Sequence, residues 1–305
     1  MAGMDLSVVV PTLNGREQLG DCLDALSEFA PDAEVVVTNG PSADGTTGMV
    51  RDRDDVDVLV EVTDRNVNVA RNAGLAAATG DVIALVSYHQ AVESSWVEAL
   101  EAAIGDGASV VTGPTHRPLR AGMTTETPES KRIAGREVSF FNPDNVAMTR
   151  AAVSAIDGFD ESLEVGGARD AAHRLAGNEF AVEWCGDMSV KSEFQPDGGD
   201  VEEDWGAKYQ SLAYRLFKNY GVRPTVVRRV ASHGFCDAYV VGKDVLRGEA
   251  TPTSWFDEGK RVLRGTVGGT KSGLVARARD RTPMRNPRGL SDRDDRAAHV
   301  YDWRD

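Results

Sequence analysis

Lysine, cysteine and long apolar runs are all scarce in this chain of 305 residues. The three cysteines, Cys22, Cys185 and Cys236, are far apart and odd in number, which favours buried thiols in a reducing compartment over a disulfide scaffold or a thiolate metal site. The longest aliphatic run, Val82 to Val86, is far shorter than the ~20 residues of a membrane span, and no signal-peptide pattern opens the chain. We therefore expect a cytoplasmic protein whose membrane contact, if any, is peripheral.

Basic residues are too few to balance the acidic ones. The chain has 34 Lys and Arg, only seven of them Lys, against 48 Asp and Glu, and its formal net charge is −14. Carboxylates hold water well and a large net charge resists association, so this balance is typical of a halophile's soluble protein. It also argues against nucleic acid as a partner, because phosphate backbones are bound by basic surfaces.

The charge is unevenly distributed along the chain. Residues 1–259 carry −20 and residues 289–305 carry −2, whereas residues 260–288 carry +8, with nine basic residues and one acid. Two interpretations of the basic segment stay open: a solvated extension that balances its own acidic domain, or a patch for a phosphate or a membrane surface.

Short, valine-rich runs alternate with segments of helical spacing in the first third of the chain. The runs are Leu6–Val10, Val35–Val37, Val56–Val62 and Val82–Val86. This alternation predicts βα units and an open, mostly parallel α/β sheet over residues 1–112.

The remaining two thirds give weaker signals. Residues 113–136 are polar and rich in proline, which predicts a long loop of the kind that forms lids. Apolar spacing from Trp205 to Tyr220 predicts a helix, Val226–Val230 predicts a strand, and residues 291–305 read as a frayed tail.

The polar motifs of the first half follow the predicted strands, where open parallel sheets bind their ligands. They lie in the segments SVVVPTLNGREQL (7–19), VVVTNGPSADGT (35–46), NVNVARNAGLAAATGDVIAL (66–85) and NVAMTRAAVSAIDGFDESL (145–163). Each motif alone suits any βα loop. In this order the series resembles the inverting family 2 glycosyltransferases, which have the GT-A nucleotide-diphosphosugar transferase fold.

The resemblance implies a mixed, mostly parallel sheet flanked by helices, with a C-terminal helical extension. It divides the chain into a nucleotide-sugar-binding half (1–112), an acceptor-side half (113–250) and a basic extension with a flexible tail (251–305). It also implies a hexosyltransferase that moves a sugar, with inversion, from a nucleoside diphosphate sugar to an acceptor hydroxyl.

The resemblance carries site roles over to matching positions. It puts Thr12 beside the nucleotide, Thr38 and Asn39 at the base and ribose, and Arg71 at the base or diphosphate. His233 matches a position where some relatives have a histidine near the diphosphate; a hydrogen-bonded structural histidine is the alternative.

The chain departs from the family pattern at the metal site. Where the family has Asp-x-Asp, this chain has Ser87-Tyr88-His89. Ser87 and His89 remain nucleotide-sugar candidates, and His89 is the one candidate ligand for Mn²⁺ or Mg²⁺, although a single imidazole is a weak substitute for carboxylates.

The chain departs again at the catalytic base. Family members have Gly-Glu-Asp-x-Asp, with an arginine four residues after the last Asp, whereas this chain has Gly166-Gly167-Ala168-Arg169-Asp170. Asp170 is the surviving carboxylate, and it is either the base that deprotonates the acceptor or a helix cap.

Charge and resemblance together predict an enzyme at the inner face of the membrane. The acceptor expected is a glycan on a lipid phosphate, dolichol phosphate in a haloarchaeon that builds S-layer N-glycans, with membrane contact through 252–288. The competing hypothesis is a catalytically degenerate GT-A-like subunit that binds a partner. A sugar nucleotidyltransferase fits less well, because no Gly-rich basic loop follows the first strand.

Overall fold

The computed structural model describes residues 3–119, 122–124, 128–192, 204–233 and 252–304, so Cys236 lies outside the described residues. The chain forms two compact units. The first contains residues 1–130, 139–197 and 288–305, and the second contains residues 131–138 and 198–287. Within the described ranges, no helix has both the length and the hydropathy to cross a membrane.

The secondary structure alternates between strands and helices in the first half and becomes mainly helical later. The strands are β1 (Leu6–Thr12), β2 (Glu34–Asn39), β3 (Val58–Val62), β4 (Val82–Val86), β5 (Ala91–Val92), β6 (Val110–Thr112), β7 (Thr115–Leu119), β8 (Gly122–Thr124), β9 (Glu129–Ile133), β10 (Arg136–Phe140), β11 (Asn145–Thr149), β12 (Glu183–Trp184), β13 (Val190–Lys191) and β14 (Ala297–Asp302). The helices are α1 (Arg16–Phe29), α2 (Thr46–Arg51), α3 (Val67–Ala77), α4 (Trp96–Gly105), α5 (Arg150–Ile156), α6 (Gly167–Gly177), α7 (Trp205–Tyr220), α8 (224–233) and α9 (Pro252–Arg279).

Eight strands form the central sheet of the first unit, in the order β12-β6-β11-β4-β1-β2-β3-β14. The pairs β4–β1, β1–β2, β2–β3 and β12–β6 are parallel. In contrast, β11 is antiparallel to β4 and β6, and β14 is antiparallel to β3. The prediction of a mixed, mostly parallel sheet flanked by helices is confirmed.

The helices lie on this sheet through the apolar faces that the sequence predicts. Helix α1 buries Leu19, Cys22, Leu23 and Leu26, which are spaced at one face of a helix. Helix α3 approaches β1 most closely at Gly74, where a Cβ atom would lie 2.2 Å from Val9 Cγ1. This close approach sets the short separation between α3 and the middle of β1.

Two local predictions are wrong. Residues 113–136 contain the strands β7, β8 and β9 within their described part, rather than one long loop. Where its burial is described, β9 is mostly exposed, so it lacks the apolar alternation that marks a strand. The predicted strand Val226–Val230 is helical, because Pro224 begins helix α8 and its fixed φ suits a first turn.

The prediction of a frayed tail over residues 291–305 is also wrong. Strand β14 pairs with β3 and forms one edge of the central sheet. Arg304 fastens the end of the chain, because its Nη1 donates to Glu34 Oε1 at 2.7 Å and to the Ala77 carbonyl at 2.9 Å. The tail carries few apolar residues, and backbone pairing to β3 holds it instead.

The second unit is built around helices α7 and α9. Gly265, Gly269 and Gly273 face α7 so closely that added Cβ atoms would lie 2.1 to 2.5 Å from its backbone carbonyl oxygens. The two helices therefore pack backbone to backbone along a glycine face of α9, and the opposite face of α9 points away from α7. The predicted C-terminal helical extension is present as α9.

Candidate functional site

A pocket of about 250 Å³, here called the strand-end pocket, lies where β1 and β4 end. Residues of both strand ends and of the start of α3 line it: Pro11, Thr12, Leu13, Gly40, Asp64, Arg65, Asn66, Val67, Ala70, Arg71, Leu85, Val86, Ser87, Tyr88, Pro143 and Asp144. The carboxyl edge of a parallel sheet is the usual ligand site of such folds. The structure thus brings together three predicted site residues: Thr12, Arg71 and Ser87.

Arg71 is a buried cation in this pocket. Its side chain is 7% exposed, and its guanidinium donates to Asn68 Oδ1 at 3.2 Å and to the Pro143 carbonyl at 3.3 Å. Its Nε has no partner, and no carboxylate among the described residues lies within ion-pair distance. Burial lowers the pKa of Arg71, and the charge of Asp144 opposes that shift. A buried cation without a carboxylate partner is a ready anion site.

The predicted nucleotide contacts after β1 and β2 fall into two groups. The hydroxyl of Thr12 is buried in the pocket wall without a hydrogen-bond partner, which leaves it for a ligand. Thr38 and Asn39 do not line the pocket. Thr38 packs against the Gly74 position of α3, and the Asn39 carboxamide bonds Thr47 Oγ1 at 2.9 Å and Ser42 Oγ at 2.7 Å.

The three residues that stand in place of the Asp-x-Asp pattern contact one another. Ser87 Oγ lies 3.0 Å from His89 Nδ1, and the Tyr88 ring contacts that of His89 edge-on at 5.2 Å. His89 does not line the strand-end pocket. In the part of the chain that the structure describes, no three His, Cys, Asp or Glu residues are grouped to hold a metal ion. This donor set does not fit Mn²⁺ or Mg²⁺, which prefer several oxygen ligands.

A second and larger space of about 650 Å³, the loop cleft, adjoins the first. It is lined by Val67, Asn68, Arg71, Glu129, Phe140, Phe141, Asn142, Pro143, Glu164, Gly166, Gly167, Ala168, Arg169 and Trp184. Val67, Arg71 and Pro143 line both spaces. Arg71 therefore stands at the junction of a sheet-edge pocket and an open cleft.

The loop cleft contains the positions where the family has its Glu-Asp pair. Gly166, the N-cap of α6, has φ +79°. A Cβ atom on Gly167 would lie 2.4 Å from Asn68 Nδ2, so the Asn68 carboxamide occupies the space of a side chain there. Ala168 provides no acid. The family's base position is thus filled by an amide from α3.

Asp170 lies outside both spaces. Its side chain is fully buried, and its Oδ2 accepts a hydrogen bond from Arg174 Nε at 2.8 Å. Arg174 also donates to the Ile156 and Gly158 carbonyls. The N-cap of α6 is Gly166, without a side-chain cap bond, so Asp170 does not cap the helix. The described contacts make Asp170 one half of a buried ion pair that joins α6 to the end of α5.

His233 lies in the second unit, at the last described residue of α8, and is exposed. It has interactions within the protein. Its predicted role at the diphosphate stays a prediction.

Three asparagines, the N-cap of α3 and two residues within that helix, position a loop of the site, and the sequence did not single them out. Asn66 Nδ2 donates to the Glu161 carbonyl at 2.9 Å, Asn68 Nδ2 to the Leu163 carbonyl at 2.6 Å, and Asn72 Nδ2 to the Phe159 carbonyl at 2.9 Å. They fasten the loop before α6 to the helix that carries Arg71. The signal was present in the segment NVNVARN, where three carboxamides cluster at a helix start.

The C-terminal segment also contacts the loop before α6, which the sequence does not predict. Arg296 is buried and donates to Glu161 and to the Gly289 carbonyl, and Arg293 Nε donates to Glu161 Oε2 at 2.9 Å. Glu161 Oε1 also accepts from Asn72 Nδ2 at 2.8 Å. The end of the chain therefore braces the same loop from the other side.

Sequence comparisons identify the first half of the chain. Residues 7–154 match the model of glycosyl transferase family 2. Glycosyltransferase AglE of Haloferax volcanii is 29% identical over 116 residues, which are 35% of this chain and 38% of the relative. Glycosyltransferase GlyA of Streptococcus pneumoniae is 27% identical over 99 residues, 31% of this chain and 14% of the relative. The matched part thus spans well under half of either relative.

Solved structures resemble the fold over most of the chain. The mannosyltransferase PcManGT of Pyrobaculum calidifontis, in complex with GDP-Man and Mn²⁺, is 16% identical with a TM-score of 0.57, covering 88% of each chain. Residues 1–349 of TarS from S. aureus, in complex with UDP-GlcNAc, are 14% identical with a TM-score of 0.62, covering 92% of this chain and 90% of that one. At these identities the likeness establishes the fold alone. Residues 7–154 thus match glycosyl transferase family 2, and the fold of the chain is the GT-A architecture.

Proposed function

We propose that this protein is a hexosyltransferase that transfers a sugar, with inversion, from a nucleoside diphosphate sugar to a hydroxyl of a saccharide on a lipid phosphate. The single observation that carries the proposal is the position of Arg71, a buried cation without a carboxylate partner at the junction of the strand-end pocket and the loop cleft. A diphosphate at this junction would have its nucleoside in the smaller space and its sugar facing the larger one.

Arg71 supplies the chemistry that the leaving group needs. Negative charge develops on the diphosphate as its bond to the sugar breaks, and a preorganised cation in a dry site stabilises that charge strongly. The partnerless Arg71 Nε and Thr12 hydroxyl provide two further hydrogen-bond donors at the pocket. PcManGT was solved with Mn²⁺, but here the donors around Ser87 and His89 do not fit a divalent ion.

The donor proposal is tested by turnover in concentrated salt. Purified protein is incubated with UDP- and GDP-sugars and a lipid-phosphate-linked saccharide, with and without Mn²⁺, and release of nucleoside diphosphate is measured. We expect Arg71→Gln to lower kcat/KM about 100-fold, the usual cost of losing one such donor, and Arg71→Lys to retain more activity. Arg51→Lys, an exposed site outside both spaces, is the matched control.

Three outcomes decide the matter. Donor-dependent release that falls in Arg71→Gln supports the transferase. Equal release by Arg71→Gln and wild type at equal folded fractions contradicts the role of Arg71. Donor binding without turnover for every sugar favours the second candidate, a degenerate GT-A-like binding subunit, which the missing acids at 87–89 and 167–168 support.

The lipid half of the proposal rests on helix α9. Its face opposite the glycines, here called the α9 outer face, carries Leu263 and Val267, which are 65% and 61% exposed, beside Lys260, Arg264 and Lys271. Residues 260–279 contain six basic residues and no acid. An apolar stripe flanked by cations suits the anionic inner face of a membrane. We propose that the enzyme works there, in a haloarchaeal cell, on dolichol-phosphate-linked glycans for S-layer proteins.

Concentrated salt weakens the attraction between the basic residues of α9 and an anionic membrane surface. In molar salt the Debye length is ~3 Å, so the apolar side chains must supply much of the membrane affinity. Vesicles of anionic or of neutral lipid are sedimented with the full chain in roughly 2 to 3 M KCl, where charges are largely screened. We expect Leu263→Ser with Val267→Ser to abolish co-sedimentation and Val222→Ser, at another exposed apolar site of this unit, to leave it intact. Equal binding by all three proteins would overturn the α9 assignment.

A further inference from the structure

The proposed transfer needs a group that removes the proton of the acceptor hydroxyl, and the usual positions for it carry no acid. Gly167 cannot take a side chain while Asn68 occupies its space, and residue 168 is alanine. Asp170 is fully buried, bonded to Arg174 and absent from the lining of the loop cleft. A base must reach its proton within hydrogen-bond distance, so the cleft lining itself has to provide one.

Two carboxylates line the loop cleft, Glu129 and Glu164. Glu129 Oε2 accepts a hydrogen bond from Arg169 Nη2 at 2.8 Å, so this carboxylate is already engaged by a guanidinium. Glu164 is exposed and makes no hydrogen bond or ion pair within the described ranges of the chain. Of the two, Glu164 is the carboxylate whose oxygens remain available to an acceptor.

The backbone beside Glu164 is anchored although its side chain is free. The Leu163 carbonyl accepts from Asn68 Nδ2 at 2.6 Å, the Leu163 side chain is buried, and Gly166 fixes the turn into α6 with φ +79°. Asn68 Oδ1 also accepts from Arg71 Nη1 at 3.2 Å. One carboxamide therefore links the loop that carries Glu164 to the cation at the junction.

We infer that Glu164 is the general base of this enzyme, taking over from the family position that Asn68 has filled. This inference rests on the proposed function. The Glu164 carboxylate accepts the acceptor's hydroxyl proton, the acceptor oxygen forms a bond to the anomeric carbon, and the bond from that carbon to the diphosphate oxygen breaks. The electron pair of the broken bond leaves with the nucleoside diphosphate, whose charge Arg71 balances.

The test compares carboxylate variants in the full chain. We expect Glu164→Gln to lower kcat by 10²- to 10⁴-fold, the usual contribution of a general base, with the Kd for nucleoside diphosphate unchanged. Glu164→Asp should recover part of the loss, and the rise of kcat with pH in wild type should flatten in Glu164→Gln. Glu98→Gln, which removes an exposed carboxylate of α4 outside the cleft, is the control.

A chemical readout separates a base from a structural residue. Azide attacks the anomeric carbon without losing a proton, so it should restore donor consumption in Glu164→Gln and yield a glycosyl azide. Near-wild-type kcat in Glu164→Gln, or a large loss in Glu129→Gln instead, overturns the assignment. Failure of wild type itself to turn over any donor that it binds would refute the proposed function, which is a different result from turnover that ignores Glu164.

Discussion

The ion pair between Asp170 and Arg174 gives the sharpest prediction, because it separates a structural carboxylate from a catalytic one. Both side chains are fully buried, and Asp170 Oδ2 lies 2.8 Å from Arg174 Nε. Removing one partner of such a pair leaves an uncompensated buried charge and costs about 3–5 kcal/mol. Asp170→Asn keeps an oxygen that can accept from Nε, so we expect about 3 kcal/mol for Asn and about 5 kcal/mol for Ala.

These values translate into a measurable order of melting temperatures. At about 2–4 °C per kcal/mol for a chain of this size, Asp170→Asn should melt roughly 6–12 °C below wild type, and Asp170→Ala lower still. The assay is thermal and urea unfolding in concentrated KCl, with kcat measured at a temperature where each variant is folded. The double variant Asp170→Leu with Arg174→Met should recover much of the stability, because apolar replacement of a buried pair is often neutral.

The refuting result is specific. Suppose that Asp170→Asn has the melting temperature of wild type but a kcat at least 100-fold lower at equal folded fraction. A loss of that size is typical of a general base, so Asp170 would then act in the chemistry. The geometry of the pair would then not describe the working enzyme, and the assignment of Glu164 would fall with it.

Three further predictions follow from local geometry. Gly74→Ala should cost about 1–3 kcal/mol by overpacking, because its Cβ would lie 2.2 Å from Val9 Cγ1, whereas Gly20→Ala, with open space in α1, should stabilise by about 0.5–1 kcal/mol in urea unfolding. Burial alone would raise the pKa of Glu34, but hydrogen bonds from a serine, a threonine and an arginine outweigh it and lower that pKa. The stabilisation by Glu34 is therefore present above the unfolded pKa and lost as pH falls through the folded pKa. Glu34→Gln should destabilise the protein at pH 7 and do so progressively less as the pH falls into that range. Burial raises the pKa of the Cys22 thiol to about 12, so iodoacetamide at pH 8, roughly the pKa of a free thiol, should label Cys22 only after unfolding; labelling of the native protein would contradict its burial.

The sequence predicted the parts of the fold in which burial and periodicity agree. Val82–Val86 is buried at every position, and the face of α1 from Leu19 to Leu26 is apolar at helical spacing. The strand β14 could not be predicted in this way, because it is an edge strand with mostly exposed side chains. Helix α8 was misassigned since β-branched residues such as Val226 and Val227 favour strands only weakly and a proline start outweighed them.

The residues of the candidate site also differ in whether a local sequence pattern predicts them. Arg71 and Thr12 were predictable because short motifs after strands place them at the sheet edge. Glu164 was not, since no local pattern distinguishes an exposed glutamate in a loop from a solvated one. Asn39 is a different case. Its motif position predicts a ligand contact, its carboxamide is bonded within the turn that follows β2, and its role stays a prediction.

The loop before α6, where the chain departs from the family pattern at the base position, is held from two sides. Asn66, Asn68 and Asn72 hold that loop from α3, while Arg296 and Arg293 hold Glu161 in it from the C-terminal segment. A loop fixed from both sides preserves its backbone when side chains within it change. Glu164, which lies in this braced loop, therefore lines the same cleft as residues 167 and 168, which carry no acid, and Arg71 adjoins that cleft.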